Sequence, residues 1–257
     1  MTTIPTLEVR GIDKSFGPVH VLSSVNFTAN EGEVTALVGD NGAGKTTLVK
    51  CIGGIHRADA GELIFDGTPR SINGPRDAAL LGVEIVYQDL ALCDNLDVVD
   101  NMFLGRELKH TGLVDDNTME KRARDTLDGL SVRTLKSVRT HVASLSGGQR
   151  QTVAIARAVL WNSKVVILDE PTAALGVAQT EQVLLLVRRL ADRGLGVLLI
   201  SHNLNDVFQV ADEIAVLYLG SMVAQVASAD VKQNQVVELI TTGRATGHES
   251  GTKGTDA

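Results

Sequence analysis

Gly39-Asp40-Asn41-Gly42-Ala43-Gly44-Lys45-Thr46 reads G-x-x-x-x-G-K-[ST], between an apolar run at 33–38 (EVTALV) and a helical stretch at 45–52. A bound polyphosphate needs many hydrogen-bond donors in a small space. Glycines let the backbone curl so that successive N–H groups face inward, and the following helix aims its positive end at the same point. Lys45 is placed to neutralise the β- and γ-phosphates. The Thr46 hydroxyl is placed to help hold Mg2+, and Thr47 extends the loop. The plain alternative is a chance glycine-rich turn, and the strand before it and helix after it count against that reading.

Working outward, the pattern is strands alternating with helices. Strands are expected at 6–10, 20–27, 33–38, 62–66, 83–87, 164–169, 196–201, 213–218 and 221–227. Helices are expected at 45–52, 75–81, 117–130 with Asn117 as cap, 147–160, 177–193, 203–211 and 229–240. Between about 90 and 160 strand-like runs give way to helical periodicity, which reads as a helical lobe inserted into an α/β core. The expectation is therefore an α/β chain with a mostly parallel sheet. Residues 1–240 read as a single domain, and 241–257, rich in Gly, Thr and charge, as a disordered tail.

A second motif, Leu145-Ser146-Gly147-Gly148-Gln149, opens a helix. Ser146 is a natural N-cap, so a capped helix start is the simplest account. Two glycines directly after a cap are poor helix formers, however, and make sense where something approaches the backbone closely. An anion at this helix start explains both features. A third signal is Val165-Val166-Ile167-Leu168-Asp169-Glu170, four apolar residues that deliver two adjacent carboxylates at a strand end. Adjacent carboxylates repel, which gives a reason to expect a cation between them and a phosphate. Asp169 suits Mg2+ coordination, and Glu170 is placed to polarise an attacking water. Gln88 and His202 each follow a strand, and Phe16 lies near the N-terminus. Taken singly, all three read as structural residues.

Composition narrows the class. The chain has 257 residues, 44% hydrophobic and 21% charged, with a formal charge of −7. An acidic balance argues against bulk nucleic-acid binding, which needs Lys and Arg against phosphates. Cys51 and Cys93 make no disulfide framework and read as free thiols in a reducing compartment. The N-terminus carries no signal-peptide pattern, and no run reaches the ~20 apolar residues needed to span a bilayer.

Together these residues, over 7 to about 240, resemble the ATP-binding subunits of ABC transporters, within the phosphate-loop NTPases. The resemblance implies an N-terminal antiparallel β-subdomain, the helical insertion, ATP and Mg2+ as ligands, and ATP hydrolysis coupled to solute translocation. It places Phe16 against adenine and residues 39–47 around the phosphates. It assigns Gln88 to sensing Mg2+ and water, Asp169 to the metal, Glu170 to catalysis and His202 to the γ-phosphate. It also implies a homodimer in which Ser146, Gly147, Gly148 and Gln149 complete the partner's ATP site. That accounts for two anion-binding helix starts beside one Lys-bearing loop. Permease subunits in the membrane, a solute-binding protein and a place on the cytoplasmic face of the inner membrane are further implications.

The stretch 88–107 and the residues after Pro171-Thr172 look like ATPases of bacterial importers of ribose, xylose or fructose. Many of those are tandem, so a single copy here implies pairing of two chains. One departure stands out: Gly176 occupies the position where the family has an aspartate that helps communication across the dimer. Lipid or drug export and amino-acid import are alternative cargoes. A soluble protein acting on nucleic acid and an inactive ATP-binding module are the rivals from other classes. The first lacks a coiled coil or a second ATPase unit, and the second is opposed by Lys45, Asp169, Glu170 and His202.

Overall fold

The computed structural model describes residues 4–132 and 134–244. The chain opens with β1 (Leu7–Phe16) and β2 (Val19–Ala29), an antiparallel pair, and returns through β3 (Val34–Val38) to α1 (Lys45–Ile52). β4 (Ala60–Phe65) and β5 (Thr68–Arg70) follow, then α2 (Pro75–Leu80) and β6 (Val83–Val86). Next come α3 (Val98–Phe103), the short strands β7 (Lys109–His110) and β8 (Leu113–Val114), α4 (Asp116–Gly129) and α5 (Gly147–Val159). β9 (Val165–Asp169), α6 (Val177–Asp192), β10 (Gly196–Ile200), α7 (Leu204–Val210), β11 (Glu213–Tyr218), β12 (Ser221–Ala227) and α8 (Gln233–Thr242) complete it.

The principal sheet has the order β12-β11-β3-β10-β9-β6, parallel throughout except for the antiparallel edge strand β12. An antiparallel sheet, β2-β1-β4-β5, lies on one side of it. Side chains of a strand alternate between faces, and each central strand is buried on both. Val34, Ala36 and Val38 of β3, Val166 and Leu168 of β9, and Val197 and Leu199 of β10 enter a core shared with α3 to α7. Leu37, Val165, Ile167, Leu198 and Ile200 enter the other core, shared with α1, β1 and β2. Two-sided burial explains why these strands are apolar runs rather than alternating patterns.

α5 is buried nearly all round, through Gln151, Thr152, Val153, Ala154, Ile155, Ala156 and Ala158. It touches α3, α4, α6 and β6. α6 keeps one apolar face, with Val183, Leu184, Leu186, Val187, Leu190 and Ala191 turned inward.

The fold is the α/β arrangement expected, with local corrections. The short helix α3 lies in the stretch expected to be helical, although no separate helix was placed at these residues. Its six residues are too few to display a helical period, and Asp97 starts it by accepting from Asp100 N. The β7–β8 pair places a two-stranded ladder inside the stretch read as purely helical. Two-residue strands leave no alternation to detect. α4 is capped by Asp115, whose carboxylate accepts from Thr118 N, and not by Asn117, which is already helical. The final helix runs 233–242 rather than 229–240. Ser228 binds the Asp212 and Ala211 carbonyls, at 2.8 and 2.6 Å, and holds 228–230 in a short 3-10 turn. Thr241 and Thr242, read as tail, are therefore helical, and Gly243 ends the helix at φ +68. Residues 245–257 lie outside the described residues.

Candidate nucleotide site

Parallel strands bring their C-terminal ends to one edge of the sheet, where α/β folds bind ligands. Four adjacent strands end at that edge, one in the glycine-rich loop and three in polar residues. β3 runs into Gly39, β10 into Ser201 and His202, β9 ends at Asp169 with Glu170 next, and β6 leads to Gln88. A cleft of ≈ 750 Å³ opens between them. Gly39, Asp40, Asn41, Gly42, Gly44, Lys45, Thr46 and Thr47 all line it, as do Gln88, Asp169, Glu170 and His202. Residues up to 163 positions apart in sequence thus converge because the strand order, not the chain order, sets their neighbours.

The loop at 39–44 is pressed against β11. A Cβ on Gly39 would lie 2.3 Å from the Leu217 carbonyl oxygen, so only glycine fits. Ala43 is buried beneath the loop, and its carbonyl accepts from Gly220 N at 2.9 Å. α1 begins at Lys45 with no side-chain cap, which leaves the N–H groups of its first turn directed at the cleft. Lys45 Nζ donates to the Gly39 and Asp40 carbonyls, at 2.6 and 3.0 Å. Burial lowers the Lys45 pKa, and the charges of Glu170, Asp40 and Asp169 oppose that shift. Burial raises the Asp169 pKa, and the neighbouring Glu170 adds to it; Lys45 pulls the other way.

Glu170 takes a left-handed backbone conformation, φ +50, and its N–H donates to the Ile200 carbonyl at 2.9 Å. A non-glycine residue held there is strained, and such strain gathers at functional sites. It turns the carboxylate to His202, whose Nδ1 lies 2.7 Å from Glu170 Oε2. Behind them, Thr172 Oγ1 donates to the buried Asp206 at 2.7 Å, and Asn203 Nδ2 donates to the same carboxylate at 2.9 Å. These bonds tie the loop after Glu170 to the start of α7.

Two groups of expected residues stand apart from the cleft. Phe16 does not line it; its ring packs edge-on against His56, centroids 5.1 Å apart, with Lys14 over its face. Ser146, Gly147, Gly148 and Gln149 do not line it either. They form the start of α5, with Ser146 Oγ accepting from Gln149 N and Gln149 Oε1 accepting from Ser146 N. Gly148 has a reason within its own chain, because a Cβ there would sit 3.1 Å from Gln179 on α6. Gly147 and Ser146 are exposed.

The sequence reading missed one wall of the cleft. Val21 of β2, Leu204 of α7, and Val237, Ile240 and Thr241 of α8 line it. They form a largely apolar rim beside the polar floor. No motif marks them, because any small or aliphatic residue satisfies such a wall.

Comparison with known proteins decides what kind of cleft this is. The ABC transporter family profile matches residues 22–173. The chain belongs to the ABC transporter family. It is 44% identical over 235 residues to the xylose/arabinose import ATP-binding protein of Sulfolobus acidocaldarius, covering 91% of this chain and 93% of that one. It is 43% identical over 248 residues to the fructose import ATP-binding protein of Rhizobium meliloti, covering 94% and 95%. It is 38% identical to the ribose import ATP-binding protein of Yersinia pestis, covering 93% of this chain but 47% of that one. Among solved structures, an ATP-binding cassette of an ABC transporter in its ADP conformation superposes with a TM-score of 0.78 at 25% identity, covering 95% and 97%. A dimeric cassette bound to ADP and Pi superposes with a TM-score of 0.71 at 25% identity, covering 86% and 98%. As a member of this family of ATP-binding cassettes, the chain has a nucleotide cleft, and its ligand is ATP.

Proposed function

We propose that this chain is the ATP-hydrolysing subunit of a monosaccharide importer. The convergence of Lys45, Gln88, Asp169, Glu170 and His202 in one cleft carries the ATPase reading. The import of a monosaccharide rests on the xylose/arabinose, fructose and ribose import proteins it resembles. Residues 1–240 form the ATPase unit in this reading, with 90–160 as its helical part.

In the proposed mechanism, N–H groups at 39–46 and Lys45 hold the β- and γ-phosphates. Mg2+ fits the oxygen donors at this site, a Thr46 hydroxyl, an Asp169 carboxylate and a Gln88 amide. With phosphates supplying further oxygens, one or two protein carboxylates suffice for that ion. No cluster of three or more His, Cys, Asp or Glu side chains is present among the described residues. When bound, Mg2+ neutralises charge between the phosphates. Glu170 accepts a proton from the attacking water, His202 orients Glu170 and faces the γ-phosphate, and Gln88 positions the water. Phe16, as adenine platform, rests on its place in the motif pattern.

Two chains close this site in the proposal. The helix start at 146–149 lies outside its own chain's cleft, so a second copy presents it to the nucleotide. No described helix is long and apolar enough to cross a membrane. By likeness to import ATP-binding proteins, the solute path in this reading belongs to permease subunits, fed by a solute-binding protein, with this chain peripheral on the cytoplasmic face of the inner membrane. The test is phosphate release from Mg-ATP and uptake of labelled xylose, ribose and fructose by cells carrying the native chain or Lys45→Ala. Loss of nucleotide binding and of uptake of one sugar is the expected result. Unchanged ATP affinity in Lys45→Ala refutes the placement of the phosphates, and unchanged uptake of all three sugars refutes the cargo.

A further inference from the structure

Gln88 enters the cleft at the head of a strap, 87–97, that belongs to no helix and, apart from one bridging residue at its end, to no sheet. Buried or half-buried backbone must still be hydrogen-bonded. The carbonyls of Leu90 and Ala91 accept from the two terminal nitrogens of Arg157, at 2.8 and 2.9 Å. Cys93 N donates to the side-chain oxygen of the fully buried Asn101 at 2.7 Å, and the Asn101 amide donates to Cys93, Leu96 and Asp97 carbonyls. Asp94 O accepts from Ala143 N and Leu96 O from Val142 N, both at 3.0 Å. His141 Nδ1 reaches Asn95 O at 3.1 Å, and Arg150 pairs with Asp94 at 3.2 Å. Apart from Asn101, every one of these partners lies between 141 and 157, on α5 or the segment leading into it.

We propose that Arg157 is a positioning residue that couples α5, the helix begun by Gly147, to Gln88 in the cleft, by gripping the strap two and three residues after Gln88. The proposal rests on the role given to Gln88 above. Arg157 lies ten residues along α5 from Gly147, about 15 Å at the helical rise. It is therefore remote from any nucleotide held at 146–149 and acts through the strap. A planar fork with two separated donors suits two successive carbonyls, which a single ammonium cannot span in the same way. A movement of α5, driven when its N-terminus meets the partner's nucleotide, is thereby carried to Gln88. Each site of the pair then senses whether the other is engaged.

The test is a double-mutant cycle in the purified full-length chain with Mg-ATP, using Gln88→Ala and Arg157→Lys singly and together. Arg157→Gln runs in parallel, and Tm is measured for each. A positioning role predicts that Arg157→Lys lowers kcat by about ten-fold, the loss of one charge-assisted hydrogen bond, with KM for ATP unchanged. It predicts no further loss in the Gln88→Ala background. Additive losses, or a raised KM with kcat intact, overturn the link while leaving the role of Gln88 standing. Loss of the native Tm in both Arg157 variants overturns it in favour of a purely structural arginine. A Gln88→Ala chain with native kcat overturns the reading of Gln88 and the link with it.

Discussion

Replacing Glu170 by Gln isolates its proton-accepting role from its structural one. The amide has the same size and keeps an oxygen to face His202 Nδ1, now 2.7 Å from Glu170 Oε2. The backbone at φ +50 and the bond from Glu170 N to Ile200 O are independent of the side chain's charge. What is lost is a proton acceptor, worth about 10²–10⁴-fold in rate, or roughly 3–5 kcal/mol of barrier. What is gained is relief at Asp169, whose pKa is raised by burial and then by the adjacent Glu170. The nucleotide-free variant is therefore expected to melt no lower than the native chain. Because ATP still binds and is no longer consumed, it is expected to accumulate as an ATP-bound dimer. Phosphate release reports the first effect, calorimetry the second, and size exclusion with and without Mg-ATP the third. Turnover within a few-fold of native refutes Glu170 as the base. Elution only as a monomer in ATP refutes the two-chain site.

Three further outcomes follow from the geometry. Burial and Glu170 hold the Asp169 carboxyl above its usual range, so its ionised form costs stability once pH rises past the unfolded-state value. Asp169→Asn is expected to raise the nucleotide-free Tm at neutral pH, with the gain vanishing below the ordinary carboxylate range. An equal gain at pH 7 and at about pH 3 contradicts the assignment. Asn101→Leu leaves Cys93 N–H without its partner, while the Cys93 carbonyl keeps Leu96 N at 3.1 Å. At about 1–3 kcal/mol for that one orphaned group, the Tm is expected to fall by roughly 2–12 °C. A shift under about 2 °C shows that the strap does not depend on Asn101. Gly176 caps α6 at φ −75 and ψ 162 with no side-chain acceptor, and a Cβ there meets nothing within 4 Å. Gly176→Asp is expected to fit, add a few tenths of a kcal/mol as an N-cap, and raise Tm by about 1 °C. A lowered Tm excludes an open cap position.

The sequence by itself determined the floor of the site. Gly39 to Thr47, Asp169 and Glu170 are legible because phosphate and metal chemistry restrict residue type and spacing within a short stretch. The central strands are legible too, since burial on both faces leaves runs of apolar residues that no solvated element tolerates. Gln88 and His202 are single residues, and only the strand order β3-β10-β9-β6 brings them to one edge with Lys45. The bounds of α3 and the β7–β8 ladder were invisible because short elements carry no period, and Asn117 lost the cap to Asp115 because either residue can serve chemically. The wall of Val237, Ile240 and Thr241, and the grip of Arg157 on Leu90 and Ala91, were decided by tertiary structure alone. Apolar lining and bonds to main-chain carbonyls demand a position in space, and neither demands a recognisable pattern along the chain.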